Sequence, residues 1–362
     1  MRLGAWLTLA TALAGCGART DLAPSGDPPR ADAGADGGFS CGGGGGVEVL
    51  ATRPGTGTVF RALATNQESA FWSLPGAGID DTDSILSVPL CGGAVVTLAS
   101  DQGTVNGIAV DEANVYWITA SEANTGGVLR VPVGGGAVET LAASGTGSVT
   151  IDEDRVYWTD RWAAAVMSQP KAGGTTTTLA ADQQGPDALA VNATFVCWTV
   201  DGTVASGSGD IPASLSCVSK DGVGGVRSVS VGAESYYLLA ADEANLYTSA
   251  TDDDGSVSMI AAPLGGGPPV TLGVLPPPPD PGESAAVPGG IALDSTFVYW
   301  TSAPETDGMG TVIQAPKTGG TNVTLASAQA IPTGIALAGP YVLWTNDPAT
   351  PDAGPTVLLA PK

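Results

Sequence analysis

A thirteen-residue pattern recurs along the chain, and it limits the possible folds more than any other feature. Its clear copies are GIAVDEANVYWIT (107–119), SVTIDEDRVYWTD (148–160), ALAVNATFVCWTV (188–200) and GIALDSTFVYWTS (290–302). Weaker copies occupy 61–73, 238–250 and 334–346. Seven copies of one pattern indicate a repeat architecture, in which each copy is one structural unit.

Two positions six residues apart define each copy. The first, here called the polar slot, holds Asn66, Asp111, Asp152, Asn192, Asp242, Asp294 and Ala338. The second, the tryptophan slot, holds Trp72, Trp117, Trp158, Trp198, Thr248, Trp300 and Trp344. We expect the polar slot to cap a turn through its own backbone. We expect the tryptophans to pack between neighbouring units rather than to hold a cofactor.

The second half of each copy also repeats, as a strand, a proline, two or three glycines and another strand. Examples are VLRVPVGGGAVETL (128–141) and VIQAPKTGGTNVTL (312–325). One unit therefore has four short strands, A to D, and glycine suits the C–D turn because hairpin turns need positive φ. Successive tryptophan slots are 40 to 52 residues apart, which is the size of a propeller blade. The sequence predicts an all-β, seven-bladed β-propeller of four-stranded blades.

The seventh copy ends with TVLLAPK at Lys362, where glycines and strand D would follow in the other copies. Those missing parts match CGGGGGVEVLAT (41–52) near the start of the chain. The N-terminal strand, residues 47–52, is therefore predicted to close the last blade and to remove the open edges of the ring. Residues 47–362 would then form a single domain.

The tetrad Tyr157-Trp158-Thr159-Asp160 resembles the YWTD repeats of the low-density-lipoprotein-receptor propellers. Other copies depart from the tetrad, and this chain has seven copies where that family has six blades. The chain is also similar to secreted bacterial propellers of the TolB-like kind. Both resemblances imply a propeller over 47–362, and neither implies a particular ligand.

The first residues have the composition of a targeting segment. Arg2 precedes the apolar stretch Leu3 to Leu13, which is too short to span a bilayer, and Leu13-Ala14-Gly15-Cys16 follows. LAGC resembles the lipobox of bacterial lipoproteins, which implies that 1–15 is a signal peptide and that Cys16 is lipidated; an ordinary secretory signal is the alternative. Residues 16–46 lack large apolar side chains and are predicted to form a flexible tether. We expect an exported protein that contacts the cell envelope only through its lipid, and Gly17 favours the outer membrane.

Charge and composition exclude several functions. The formal net charge is −23, and such a surface repels nucleic acid. The chain has no histidine, which excludes Ser–His and Cys–His nucleophiles and histidine-ligated metals. We expect a monomer without a resident cofactor. The alternative is Ca²⁺ held by the acidic runs at 80–83 and 252–254.

Four cysteines remain after Cys16, an even number that favours disulfides in an exported chain. Cys197 and Cys217 lie on adjacent strands B and C of the fourth unit, so we expect them to be bonded. Cys41 and Cys91 both lie just before the glycines of a strand D, in the seventh and first units. A bond between them would lock the closing strand.

Loop lengths vary mostly between strands B and C, and insertions on one face of a repeat protein usually mark the binding face. The candidate binding residues on these loops are Asp80, Asp81, Asp83, Asp160, Trp162, Asp201, Asp210, Asp252, Asp253, Asp254, Asp347 and Asp352. Their charge predicts a cationic partner, either a protein or an envelope polymer.

The leading hypothesis for function is therefore a binding or scaffold propeller that acts through this acidic, loop-rich face. Two alternatives stay open. One is a carboxylate-dependent, glycosidase-like hydrolase, which would need a pair of carboxylates facing the central channel. The other is an accessory subunit of an envelope complex.

Overall fold

The computed structural model describes residues 46–52, 62–75, 82–120, 126–200, 213–229, 232–233, 235–252, 256–275, 287–303, 309–347 and 354–362. The secondary-structure elements in these ranges are β-strands, and they form seven antiparallel sheets. No helix in the described ranges has the length and apolar character needed to cross a membrane.

The first three blades each have four strands in chain order. Blade 1 consists of β2 (Leu63–Thr65), β3 (Ser69–Leu74), β4 (Ser84–Pro89) and β5 (Val96–Ala99). Blade 2 consists of β6 (Thr104–Val110), β7 (Asn114–Ala120), β8 (Gly127–Pro132) and β9 (Glu139–Ala142). Blade 3 consists of β10 (Val149–Ile151), β11 (Arg155–Asp160), β12 (Ala165–Pro170) and β13 (Thr177–Ala180).

Blades 4 to 6 repeat this order, with strand A of blade 5 split in two. Blade 4 consists of β14 (Pro186–Val191), β15 (Phe195–Val200), β16 (Ser214–Ser219) and β17 (Arg227–Val229). Blade 5 consists of β18 (Ser235–Tyr236), β19 (Ala240–Ala241), β20 (Asn245–Thr251), β21 (Val257–Pro263) and β22 (Val270–Val274). Blade 6 consists of β23 (Val287–Leu293), β24 (Phe297–Ala303), β25 (Met309–Pro316) and β26 (Val323–Ala330).

Blade 7 combines the last three of the described strands with the first. Its strands are β27 (Pro332–Ala338), β28 (Tyr341–Asn346), β29 (Thr356–Pro361) and β1 (Glu48–Thr52). Strand β1 pairs antiparallel with β29, from Glu48 opposite Leu359 to Thr52 opposite Thr356. The predicted seven blades and their closure by the N-terminal strand are confirmed.

The A strands surround the axis of the ring. Each A strand contacts the A strand of the next blade, and the series closes from β27 back to β2. Glycine permits this close approach in blade 6, where a Cβ added to Gly289 would lie 2.6 Å from the Cα of Thr333 in blade 7. A Cβ added to Gly290 would lie 2.9 Å from the backbone nitrogen of Ile335. The glycines of the GIA segments therefore bring the inner strands together.

Each interface between blades contains a tryptophan slot. The slot residue of one blade packs against the residue that precedes the slot in the previous blade, as Trp198 does against Tyr157. The same pairing joins Trp158 to Tyr116, and the six tryptophans in these slots are at most 3% exposed. The prediction that they pack between blades is confirmed.

Blade 5 is the exception, because Thr248 occupies its tryptophan slot. The previous blade presents the Cys197–Cys217 disulfide at this interface, and its two buried cysteines share a core cluster with Leu246 and Ile260 of blade 5. The predicted bond between these cysteines is confirmed. Cys91 is also disulfide-bonded; Cys41 lies outside the described residues, so a Cys41–Cys91 pairing stays a prediction.

We predict that β1 stabilises the whole ring. A chain that begins at residue 54 should be less stable than one that begins at 46, by about 3 kcal/mol or more, because it loses the β29 ladder and the burial of Leu50 and Ala51. Thermal melting followed by circular dichroism measures the difference. Both forms lack residues 1–45, so equal melting temperatures would contradict a closing role for β1.

Candidate functional site

The polar slot shapes the A–B turn on one face of the propeller. In blade 3, Oδ1 of Asp152 accepts hydrogen bonds from the backbone N–H groups of Asp154 and Arg155, at 3.0 and 2.8 Å. Asn66 and Asn192 accept the equivalent pair of bonds in their own turns. The predicted capping role of this slot is confirmed.

The second oxygen of each slot aspartate joins two blades. Oδ2 of Asp152 accepts a hydrogen bond from the Tyr157 hydroxyl at 2.7 Å. The same oxygen forms an ion pair with Lys220 of blade 4, also at 2.7 Å. Four such clusters exist among the described residues, here called the Asp–Tyr–Lys clusters. They are Asp111–Tyr116–Lys171, Asp152–Tyr157–Lys220, Asp242–Tyr247–Lys317 and Asp294–Tyr299–Lys362.

The three members of a cluster occur together or not at all. Where the slot is Asn66, the other two positions hold Phe71 and Val133; where it is Asn192, they hold Cys197 and Leu264. Ala338 is matched by Leu343 and Leu90. The three residues of a cluster therefore act as a unit that links one blade to the next. The charges it places on the A–B and C–D face are paired with each other.

Hydrogen bonds in these clusters lower the pKa of the aspartates. Burial alone raises the pKa of Asp152, but hydrogen bonds from Lys220, Tyr157 and two backbone amides outweigh it and bring the pKa to about 2. The same balance brings the pKa of Asp242 to about 2. Burial, the largest cause, raises the pKa of Tyr299 to about 12, and the neighbouring Asp294 adds to the effect. Asp and Tyr therefore hold opposite protonation states across the neutral range.

The opposite face carries the B–C and D–A connections, and there a bulge recurs in strand A. The register against strand B shifts by one residue in blades 2, 4, 6 and 7, for example between Val105 and Gly107. In blade 5 strand A likewise has one residue more than strand B, between β18 and β19. In blade 3 the N–H groups of Thr146 and Gly147 both bond to the carbonyl of Thr159. Bulges are a common means of directing a side chain into a site.

One residue of this segment, five before the polar slot, is here called the mouth position. It holds Arg61, Asn106, Gly147, Asp187, Tyr237, Gly289 and Thr333 in the seven blades. The residues that follow are small or aliphatic in every copy, whereas the mouth position is almost never the same twice. Arg61 lies outside the described residues.

Mouth positions from four consecutive blades line one cavity of about 500 Å³. Its lining from blades 2 and 3 includes Asn106, Gly147 and Arg161, and its lining from blades 4 and 5 includes Asp187 and Tyr237. Such a volume lies within the roughly 300–1,000 Å³ of small-molecule sites. The cavity lies where the inner strands begin, at the mouth of the central channel.

The two charged groups among the described lining residues are paired across a blade interface. Nη2 of Arg161, in the B–C turn of blade 3, lies 2.8 Å from Oδ2 of Asp187 in blade 4. The two side chains are 45% and 35% exposed, so both remain accessible to a ligand. Among the described lining residues Asp187 is the one carboxylate, so they provide no carboxylate pair for hydrolysis.

Aromatic and amide groups complete the lining. Tyr237 is 46% exposed, and it lies in the break between β18 and β19 of blade 5. The amide nitrogen of Asn106 donates to the Thr146 carbonyl at 2.9 Å. Next to Arg161 in the same turn is Trp162, whose side chain is 66% exposed while the other described tryptophans are buried.

Three carboxylates of the predicted binding face are buried. Asp83, Asp160 and Asp347 are at most 3% exposed. Asp160 accepts hydrogen bonds from the N–H groups of Trp162 and Ala163, and Asp83 accepts one from Val105. The Asp160 carboxylate thus satisfies its own turn and the Asp83 carboxylate the first strand of the next blade. The burial of all three carboxylates corrects the expectation that they are exposed on the binding face.

The remaining acidic residues of that face are described only in part. Asp252 is exposed. The others lie outside the described residues: Asp80, Asp81, Asp201, Asp210, Asp253, Asp254 and Asp352. No three potential metal ligands gather within the described ranges; most of both acidic runs lies outside those ranges, and bound Ca²⁺ stays a prediction.

Sequence reasoning singled out Trp162 but missed Asn106, Arg161, Asp187 and Tyr237. For three of them a signal was present in the repeat, because the mouth position varies in size and charge while the strand A residues that follow it stay small or aliphatic. Arg161 carries no such signal, because it belongs to a B–C turn whose length and sequence are particular to blade 3.

Comparison with known proteins supports the fold alone. No family model matches the chain, and a search of curated proteins finds no match. Among solved structures, U3-55K is similar with a TM-score of 0.62 and 13% identity, over 88% of this chain and 100% of that one. Oligogalacturonate lyase from Vibrio parahaemolyticus is similar with a TM-score of 0.57 and 13% identity, over 87% and 91% of the two chains. The chain is thus a β-propeller, as its seven closed blades indicate.

The slot aspartates predict a specific loss of stability in acid. Their folded pKa of about 2 lies below the ordinary 3.8, so their contribution is complete above pH 3.8 and disappears as the pH falls through 2. A triple variant, Asp152→Asn, Asp242→Asn and Asp294→Asn, keeps the turn caps as Asn66 does. It should be less stable than the wild type at pH 7, and the difference should shrink between pH 4 and 2. Urea titrations across this range measure it; a difference independent of pH would contradict the assignment.

Proposed function

We propose that the protein is an exported, lipid-anchored propeller that recognises a partner at the mouth of its central channel. The observation that carries this proposal is the mouth position, where different residues occupy equivalent bulges and four of them, one of which is Gly147, line one cavity. A rigid repeat that varies at one site is typical of a recognition scaffold.

Recognition is favoured over hydrolysis by the number of carboxylates at the cavity. Asp187, which lies 2.8 Å from Arg161, is the one carboxylate among the described lining residues, whereas glycosidase-like hydrolysis needs a pair. At the cavity itself the paired charges favour a partner without a strong charge preference, and the cationic partner expected for the acidic loops of this face stays a prediction.

Export is supported by the lipobox-like LAGC segment and by the Cys197–Cys217 disulfide, since stable disulfides are typical of oxidising compartments. The tether leads into the start of β1, at the C–D side of blade 7. The channel mouth with the cavity then faces away from the anchored end.

The anchor predicts the behaviour of Cys16→Ala. The variant should accumulate as soluble protein or as uncleaved precursor, because no thiol is available for lipidation. Detergent phase partitioning of cell extracts measures this. A Cys16→Ala protein that still enters the detergent phase as the wild type does would place the anchor elsewhere.

The proposed recognition site predicts that substitutions on the two faces of the propeller affect partner binding differently. In affinity capture from native envelope extracts, Tyr237→Ala and Trp162→Ala should each lose at least half of the partner that the wild type retains. Val223→Ala, in the C–D turn of blade 4 with 69% of Val223 exposed, is the matched control and should retain all of it. Equal losses in the control and the two site variants would remove the support for this face.

A further inference from the structure

We propose that the cavity at the channel mouth binds a neutral, hydroxyl-rich ligand, namely a short saccharide. This inference rests on the proposed function, because it names the ligand class of the same site.

The charges in the lining favour a neutral ligand. Arg161 and Asp187 already neutralise each other at 2.8 Å, so an ionic ligand would have to compete with one of them for the other. Hydroxyl groups need no such exchange. They both donate and accept hydrogen bonds, and can therefore bond to the guanidinium and the carboxylate while the ion pair stays intact.

The geometry of the polar groups suits neighbouring hydroxyls. The guanidinium, the carboxylate and the Asn106 carboxamide are all planar groups with two or more hydrogen-bonding atoms. They come from three consecutive blades and line the same cavity. The Asn106 nitrogen is engaged by Thr146 at 2.9 Å, which fixes the plane of its amide.

Aromatic side chains supply the apolar part of the site. Tyr237 lines the cavity with 46% of its surface exposed, and Trp162, which directly follows the lining residue Arg161 in the chain, is 66% exposed. An aromatic ring offers a flat apolar face and, in Tyr and Trp, a polar edge. A sugar ring has the matching character, since its C–H groups form an apolar face and its hydroxyls lie around the rim.

The negative charge of the whole chain favours the binding of neutral over acidic saccharides. A formal net charge of −23 repels uronic-acid polymers and other polyanions at long range. The cavity volume of about 500 Å³ lies within the range of small-molecule sites, so it suits a short oligomer, with the remainder of a longer glycan outside.

Trp162 gives a direct optical test, because the tryptophans in the slots are buried and it alone is exposed among the described residues. Its fluorescence is therefore the fraction that acrylamide quenches readily. The probes are neutral oligosaccharides of glucose, galactose, mannose or N-acetylglucosamine, with an oligomer of uronic acid as the charged comparison. At least one neutral probe should protect Trp162 from acrylamide in a saturable way, and the uronic oligomer should protect it less.

Variants identify the cavity as the place of binding. Asp187→Asn and Tyr237→Ala should each weaken the binding of that neutral probe by about tenfold, while Val223→Ala should leave it unchanged. Trp162→Phe removes the optical signal, so for that variant calorimetry measures the binding. Melting temperatures close to the wild type's exclude misfolding as the cause of any loss.

The outcomes separate the two proposals. If the uronic oligomer binds more tightly, or if no neutral probe binds while envelope capture still depends on Tyr237, the ligand class is wrong and the recognition site stands. If Asp187→Asn and Tyr237→Ala leave the protection unchanged, the saccharide stacks on Trp162 alone and the cavity assignment fails. If capture and saccharide binding are both insensitive to these variants, the proposed function itself fails.

Discussion

The contact between neighbouring blades is the interaction on which the rest of the structure depends. A blade of four short strands buries too little surface to be stable alone, and six of the seven blades are completed by the tryptophan of the next. Tyr157 shows how closely the interface is specified. Its ring packs with Trp198, and its hydroxyl bonds to Asp152, which also holds Lys220 of the next blade. A single side chain thus links the apolar layer between blades to the charged layer at their edge.

Departures from the repeat follow the same logic. When Thr248 leaves space at the interface of blades 4 and 5, the Cys197–Cys217 disulfide and its neighbours occupy the facing side. When the polar slot is Asn or Ala, the tyrosine and the lysine are both absent. Residues that face each other across a blade boundary therefore differ together from the repeat, whereas the two interfaces of one blade differ independently.

The fold could be predicted from the sequence because its determinants are periodic and local. Tryptophan spacing gave the number of blades, and the missing strand after Lys362 gave the closure by 47–52. The candidate site could not be predicted in the same way. Asp187 and Arg161 are separated in sequence and meet only because adjacent blades place a bulge beside a turn. Acidic residues were also misleading. Asp83 and Asp160 lie in segments that read as exposed loops, yet both are buried and their carboxylates accept hydrogen bonds from backbone N–H groups.

The pairing of β1 with β29 has a consequence for the order in which the molecule is made. Most contacts within a blade join strands that are neighbours in sequence and can form early, whereas Glu48 must find Leu359 near the other end of the chain. Contacts between such distant residues form slowly, because a long loop has to close first. Strand β1 is synthesised before the strands of the other blades and is therefore the last of them to be placed. Until β29 has been made, blades 1 and 7 expose the surfaces that will join them, and this interval is when the chain is most open to aggregation or to capture by a chaperone.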